Sequence, residues 1–532
     1  MRRTIIAGVA IAAALLATSS NAGARQPRVL RVGSFHGIPG QYRSIQQAID
    51  AARSYDWILI GPGDYKTTSI RRPKRGREFP AAILITTPDL RLRGMNRNTV
   101  VVDGTIAGAA CNRRAADQSY GLRTSKGPTG LNGIMVWKAD DVWVQNLTAC
   151  NFLGGSAGDG QTGNEIWFNG GANSGAIGGW GYDGSYLTAT SRFYANESSA
   201  AQYGIYSSNW HAGTFNQVYA SNFSDSGVYI GACQKECDQT VQRAWAQFNA
   251  FGYSGTNSGG RLVVEDSQFD HNEAGFDANS QNGDNPPPQD GACPGGATSP
   301  ITHTHSCWVF IGNYVHDNNN PDVPAAGEAA AAPVGTGLVI SGGRDDTVIG
   351  NRFDDNDAWG VIFTPYLDNG RPCTGGTFGI AAFGPTSCLF DDYGNALIDN
   401  TFAHDGSYGH PSNGDFAQVN EENGHPTDCY SANSGTGGAS LTPDDVALQQ
   451  ADPLCTGAPV RASASNPDFL TEALCDSQLE IIAGTPASCP TGQYPRRANV
   501  VMHPLPRLAA MPNPCAGVPA NPWCPVRRRT TD

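Results

Sequence analysis

The stretch TVIGNRFDDNDAWGVIF, Thr347 to Phe363, decides the fold. It reads as a short apolar strand, an Asn-bearing turn, an aromatic, a small-residue turn, and a further strand opened by Gly360. The same order returns in LTATSRFYAN from Leu187, VYASNFSDSGVYIG from Val218, LVVEDSQFDHNEAGFD from Leu262, VFIGNYVHDNN from Val309 and ALIDNTFAHDGSYG from Ala396. Repetition of this kind means that no unit buries its own apolar face, so each stacks on its neighbours. The aromatic anchors Phe193, Phe223, Phe269, Tyr314, Phe353 and Phe402, with Phe248 as a further one, are separated by about 20 to about 50 residues, one coil of strands plus loops of varying length. Period-2 alternation with no helical pattern between the units argues for strands. The chain therefore reads as a parallel β-helix. Asn222, Asn313, Asn351 and Asn400 stand just before the aromatic, where an Asn can take the left-handed conformation and bond the neighbouring backbone. They are expected to form an internal ladder and the aromatics a core stack, so the repeat itself carries no chemistry.

The N-terminus reads as an export signal over residues 1–24: Arg2 and Arg3, an apolar run from Ile5 to Ala17, and Ala22-Gly23-Ala24 as a cleavage site. No later stretch approaches the roughly 20 apolar residues of a membrane helix. Export, here a bacterial secretion signal, gives the 14 cysteines a meaning: an even number in an oxidising compartment implies disulfides. Cys233 and Cys237 are spaced for a loop staple, and no second Cys or His pair follows to complete a zinc site. The net charge of −13, more negative once Arg2 and Arg3 are removed, repels phosphate backbones and argues against nucleic acid. It also repels acidic polysaccharides unless a cation or a basic patch intervenes. With 65 Gly and 34 Pro, the chain is rich in turns.

Residues 25–130 read as an N-terminal cap and first coils. Ser44 can cap a short helix whose Ile45, Ala48, Ile49 and Ala52 share one face, and DWILIGPGDY from Asp56 supplies a buried strand and a turn. A β-helix exposes its core at its ends, so a capping helix answers a physical need. With their AIDAA and GPGDY elements, these residues resemble the entry segment of pectate-lyase-like right-handed parallel β-helices. Residues 131–428 continue the coils. They are interrupted by Pro/Gly/Ala-rich insertions at DNPPPQDGACPGGATSP from Asp284 and PDVPAAGEAAAAPVG from Pro321. Residues 429–532 are a Cys/Pro-rich cap or appendage. Its Cys429, Cys455, Cys475, Cys489, Cys515 and Cys524 are expected to bond mostly among themselves, because the segment has too few apolar residues for a core.

The sharpest local signature is AQYGIYSSNWHAG from Ala201, followed one coil later by ASNFSDSGVYIGACQ from Ala220. From Gln41 to about Asp428 the chain resembles bacterial exported right-handed β-helix proteins in which a Tyr-Gly-Ile-Tyr strand precedes Ser-Asp-Ser/Ala-Gly-Ile/Val-Tyr. It is distantly similar to the mannuronan C5-epimerases and polysaccharide lyases, which carry Tyr-Gly-Phe-Asp-Pro-His on the equivalent strand. Tyr203 and Gly204 match that motif, but its acid and His positions hold Tyr206 and Ser208. Abstracting a proton α to a carboxylate needs a neutraliser for the carboxylate and a base. On this face the candidate catalytic residues are Tyr203, Tyr206, His211, Asp225 and Tyr229, with Asp277, Asn279 and Arg344 as candidate substrate-binding residues. Strand alternation puts Tyr203 with Ile205 and turns Tyr206 the other way unless the strand ends there. Oxygen-rich turns in GFDANSQNGD from Gly275, at Asp345-Asp346, Asp354 to Asp357 and Asp391-Asp392 could hold Ca²⁺, although solvated turns have the same composition.

These readings imply a secreted, monomeric β-helix protein that acts on or binds polysaccharide in a lyase- or epimerase-like manner. The rival is a non-catalytic surface or matrix glycan-binding protein. An enzyme should converge an acid/base pair and a carboxylate neutraliser in one groove; a binder should show aromatics without them.

Overall fold

A computed structural model describes residues 26–525 except 68, 74–78, 158–160, 172–174, 234–235, 282–288, 290–292, 296, 301–302, 369–376, 379–387, 420–427, 444–447, 452–468 and 477–493. The export signal lies outside the described residues. The polypeptide winds through three long parallel sheets of 12, 11 and 10 strands. One coil shows the rule: Leu262–Glu265 lies in the first sheet, Gln268–Asp270 in the second and Ala274–Asn279 in the third. The next coil repeats it in register, pairing Val264 with Phe310, Phe269 with Val315 and Phe276 with Leu338. Alternation sends Leu262 and Val264 into the core while Val263 and Glu265 stay half-buried. The coils form a parallel β-helix around one continuous apolar core.

Glycine opens many third-sheet strands for a steric reason. A Cβ on Gly204 would lie 2.5 Å from the carbonyl oxygen of Gly227, and one on Gly275 would lie 2.5 Å from that of Gly337. Only a residue without a side chain fits there without displacing the next coil.

Asparagine ladders run along the turns, though not as the sequence suggests. Asn313, Asn351 and Asn400 form one, each accepting the preceding rung's backbone N–H at 2.8 to 2.9 Å or donating its own at that range to the next rung. The left-handed conformation falls on the residue before each of them, Gly312, Gly350 and Asp399. The Asn itself points inward. Asn222 is not a rung of this ladder: it takes the left-handed conformation itself, with φ 70°, at the next turn of its coil. A second ladder, missed in the sequence, runs Asn249–Asn272–Asn318–Asn356 and ends on Asp405.

Phe269, Phe353 and Phe402 occupy the core column, but Tyr314 does not. It is in register with Gln268 and Arg352, lies under the Arg352 guanidinium at 4.8 Å, and leaves the core position to Val315. Phe248 sits in a left-handed turn and stacks on His503.

The helix Ile45–Ala51 packs Ile45, Ala48 and Ile49 onto the first coils, but Ser44 makes no side-chain capping bond. At the other end, Cys429–Ser431 and Ser434–Gly435 still belong to the first and second sheets. Disulfides join Cys111–Cys150, Cys233–Cys237, Cys293–Cys307 and Cys515–Cys524, and no described cysteine is free. Cys455 and Cys489 lie outside the described residues. No described helix is long and apolar enough to cross a membrane.

Residues 494–525 form an extended strap that runs back along the coils. Asp322 accepts the backbone N–H groups of Ala498 and Asn499, Asn222 bonds both the N–H and the carbonyl of His503, and Asn98 does the same for Leu508. The strap ends on the first coils, where Trp523 packs with Trp57, Leu59 and Met95 and donates to the Ile38 carbonyl. A segment that cannot build a core of its own borrows one from the far end of the β-helix.

Candidate functional site

The outer face of the third sheet carries one exposed-side column in strict register: Leu84, Met135, Trp167, Tyr206, Tyr229, Ser254, Asp277, Val339, Ile362 and Ala417. Adjacent positions are about 4.8 Å apart because neighbouring strands are. Its three consecutive large aromatics, Trp167, Tyr206 and Tyr229, form the floor of a groove of about 570 Å³. Trp167 stacks on Tyr206 at 4.9 Å, Tyr206 meets Tyr229 edge-on at 5.0 Å, and Phe79 closes one end against Trp167 at 5.3 Å. Polar groups rim this floor, among them Gln161, Asn169, Ser208, Asn209 and Glu197. The Trp167 indole N–H is fixed by Ser208 Oγ at 3.0 Å.

Tyr203 also stands over the floor, 4.6 Å from Tyr206 and 5.0 Å from Tyr229. It does not share a face with Ile205, which lies in the core. The strand begins at Ile205, so the alternation does not reach back across Gly204. The Tyr203 hydroxyl bonds the Asp225 carboxylate, which also accepts Ser226 Oγ at 2.7 Å; Ser226 in turn meets Ser254 Oγ at 2.6 Å. Burial of the hydroxyl, then the charge of Asp225, push Tyr203 well above the usual tyrosine range. Its hydroxyl is therefore held in the protonated form at neutral pH.

Four of the five candidate catalytic residues, Tyr203, Tyr206, Asp225 and Tyr229, thus line one groove. His211 does not. It lies on the strand Trp210–His211, with Nδ1 against the Glu236 carbonyl and Nε2 3.8 Å from Asp238. Asp277 and Asn279 lie further along the sheet and are buried; Asn279 donates to Asp277 Oδ2 at 2.7 Å and Ser341 to Oδ1 at 3.1 Å. Arg344 is buried in the turn that follows the strand Thr336–Ser341. Its guanidinium covers Phe390 at 3.9 Å and Tyr393 at 4.7 Å while Nε donates to the Asp391 carbonyl.

Sequence reasoning missed Phe79, Trp167 and Glu197. The signal for Trp167 was present: EIWFNG from Glu165 has the spacing of GIYSSN from Gly204, which places Trp167 one coil before Tyr206. Among the described residues lining the groove there is no Lys, Arg or His. Lys138 lies beside Gly171 at the rim, over the Trp137 ring at 5.5 Å, and Arg497 faces Glu197 at 3.4 Å. Two of the acidic-turn carboxylates hold structural partners, and residues 282–284 of the stretch from Gly275 lie outside the described residues. Asp346 accepts the Trp308 N–H at 3.0 Å, and Asp354 pairs with Arg352. No cluster of three or more His, Cys, Asp or Glu placed to hold a metal ion occurs among the described residues.

Neither a family model nor a curated protein matches the sequence. Among solved structures, the chain is similar to the A-module of the mannuronan C-5 epimerase AlgE6 of Azotobacter vinelandii, at 12% identity over 74% of this chain and 88% of that one, with a TM-score of 0.41. It is similar to the pectate lyase Pel9A, at 12% identity over 83% of this chain and 90% of that one, with a TM-score of 0.35. A third likeness, with a TM-score of 0.41 and 12% identity over 77% of this chain and 59% of that one, is to the tailspike protein of E. coli bacteriophage HK620.

Proposed function

We propose that this chain is a secreted, monomeric, right-handed β-helix protein that binds polysaccharide in the aromatic groove, and that its glycan is neutral. The observation that carries this is the floor of Trp167, Tyr206 and Tyr229, closed by Phe79 and bordered by amide, hydroxyl and carboxylate groups. The edges of this aromatic cluster offer apolar contact to sugar C–H groups, while amides donate to and accept from sugar hydroxyls and carboxylates accept from them. Deprotonation α to a uronate carboxylate needs a cation at that carboxylate. Among the described residues the lining supplies none, and Glu197 and Asp225 add negative charge there. The helix Ile45–Ala51 serves in this reading as the N-terminal cap and the strap as the C-terminal appendage. Extracellular placement agrees with four described disulfides.

A second, catalytic reading has the contact between Tyr203 and Asp225 in its favour, because it holds a protonated hydroxyl over the floor. One experiment separates the readings. Tryptophan fluorescence is titrated with cellohexaose, xylohexaose and mannohexaose, and with alginate and polygalacturonate oligomers, while absorbance at about 232 nm reports unsaturated product from the uronates. Saturable quenching by a neutral hexaose without absorbance gain is expected. Absorbance gain on a uronate, abolished by Tyr203→Phe, would replace the binding reading with the lyase one.

A further inference from the structure

Two separate segments of the groove's rim converge on one side chain of the strap. One is the short 3-10 segment Glu197–Ser199, of which Glu197 and Ser198 line the groove. The other is the wall around Ala326 and Gly327. Arg497 reaches both. Its Nη1 donates to the Ala325 carbonyl at 3.1 Å and lies 3.4 Å from Glu197 Oε1, while Nε donates to the Pro321 carbonyl at 3.4 Å. From below, Val323, Ala325 and Ala329 pack on Ala250 and Phe251, and Ala326 donates its N–H to the Ser224 carbonyl at 2.9 Å. Ser224 is itself a lining residue.

We propose that Arg497 is a positioning residue that sets the width of the groove, so that the C-terminal strap holds the site in its ligand-ready form. This rests on the groove being the binding site. The pair with Glu197, an exposed partner, contributes little. The two carbonyls matter more, because a guanidinium is a planar fork that can serve both at once whereas an ammonium is a single point of charge. Holding the wall in place beforehand favours affinity by removing the cost of ordering it on binding.

The test uses full-length Arg497→Met and Arg497→Lys. Hydrogen exchange is followed by mass spectrometry over residues 321–327 and 194–200, alongside fluorescence titration with the three neutral hexaoses. In Arg497→Met, exchange over 321–327 should speed up by about tenfold, the effect of one lost buried hydrogen bond, and hexaose binding should weaken to a similar degree. Arg497→Lys should fall between Arg497→Met and the parent, and it carries the test should Arg497→Met fail to fold. Unchanged exchange over 321–327 overturns the proposal, as does unchanged hexaose binding in a variant whose wall has loosened. If the parent protein binds none of the hexaoses while exchange still responds, the binding reading fails and the tie to the wall stands.

Discussion

Replacing Asn351 with Ala tests the ladder that holds the coils in register. The side chain is 2% exposed. Its Nδ2 donates to the Phe310 carbonyl at 2.9 Å and to Asn400 Oδ1 at 3.0 Å, and its Oδ1 accepts Asn313 N–H at 2.8 Å and Asn313 Nδ2 at 3.1 Å. Two of these losses are cushioned: Asn400 Oδ1 still accepts the Asn351 backbone N–H, and Asn313 Nδ2 still donates to the Val264 carbonyl. The Asn313 N–H is left without an acceptor in a buried turn, which costs about 1 to 3 kcal/mol, and the remaining bonds add about 1 kcal/mol each. With three such remaining bonds, the expected loss is about 4 to 6 kcal/mol, a large share of the stability of any domain. Urea unfolding followed by tryptophan fluorescence, read as the midpoint shift at constant slope, measures it. A loss below about 1 kcal/mol would mean that the rungs are interchangeable with solvent, and would refute the ladder as a structural element.

Tyr229→Phe and Trp167→Ala should both weaken binding of neutral hexaoses in the fluorescence titration. Both should lower the melting temperature, the second more, because the Tyr229 hydroxyl accepts the buried Thr256 N–H at 3.3 Å and Trp167 is a buried ring. Burial raises Asp415 from 3.8 to about 6, so its contribution to stability is complete below 3.8 and is lost as pH rises through about 6. Asp415→Asn, which keeps an acceptor for the Thr442 N–H, should abolish that component of the melting temperature's fall across this window, as calorimetry at stepped pH would show. Trp523→Ala should free the strap's end at a cost of about 3 kcal/mol, read as faster proteolysis within residues 494–525 than in the coils.

The fold was legible because the repeat is enforced by sterics at every coil. Gly204 and Gly275 occupy positions where any side chain would strike the next coil, and Phe269, Phe353 and Phe402 fill one core column. The errors are errors of register. With a side-chain period of two, a slip of one residue moves Tyr314 from the core to the surface and puts Val315 in its place, and nothing in the local sequence opposes the slip. Asn222 misled for a similar reason. It precedes an aromatic as Asn313 does, but belongs to the next turn, where its amide bonds the strap at His503. That partner is 281 residues away, and no local pattern announces it. The groove was half legible: Tyr203, Tyr206, Asp225 and Tyr229 come from two motifs that look alike, whereas Glu197 reaches it through an irregular connection that has no period to read.

The position of the groove follows from what the outer column of the third sheet must do. Inward columns are largely apolar because each coil packs on the next, although ladder asparagines and buried groups such as Ser207 and Gln239 stand among them, so most of the variety falls at outward positions. Apolar outward residues need a cover. At one end Leu84 and Met135 lie under Phe79; at the other Val339, Ile362 and Ala417 lie under Phe469 of the helix Phe469–Asp476 and under Tyr494 of the strap. Between them Ser254 and Asp277 are polar and satisfied by neighbours. The aromatic stretch from Trp167 to Tyr229 is the part of the column over which a groove stays open. A groove left over this packed aromatic cluster, where both flanks of the column are covered, has room for an external occupant, and a polysaccharide is the one proposed above. The strap that covers one flank through Tyr494 is the same segment that, three residues later, fastens the groove's wall through Arg497. Cover and site are thereby built from one continuous piece of chain, and loosening the strap should be felt in the groove before it is felt in the coils.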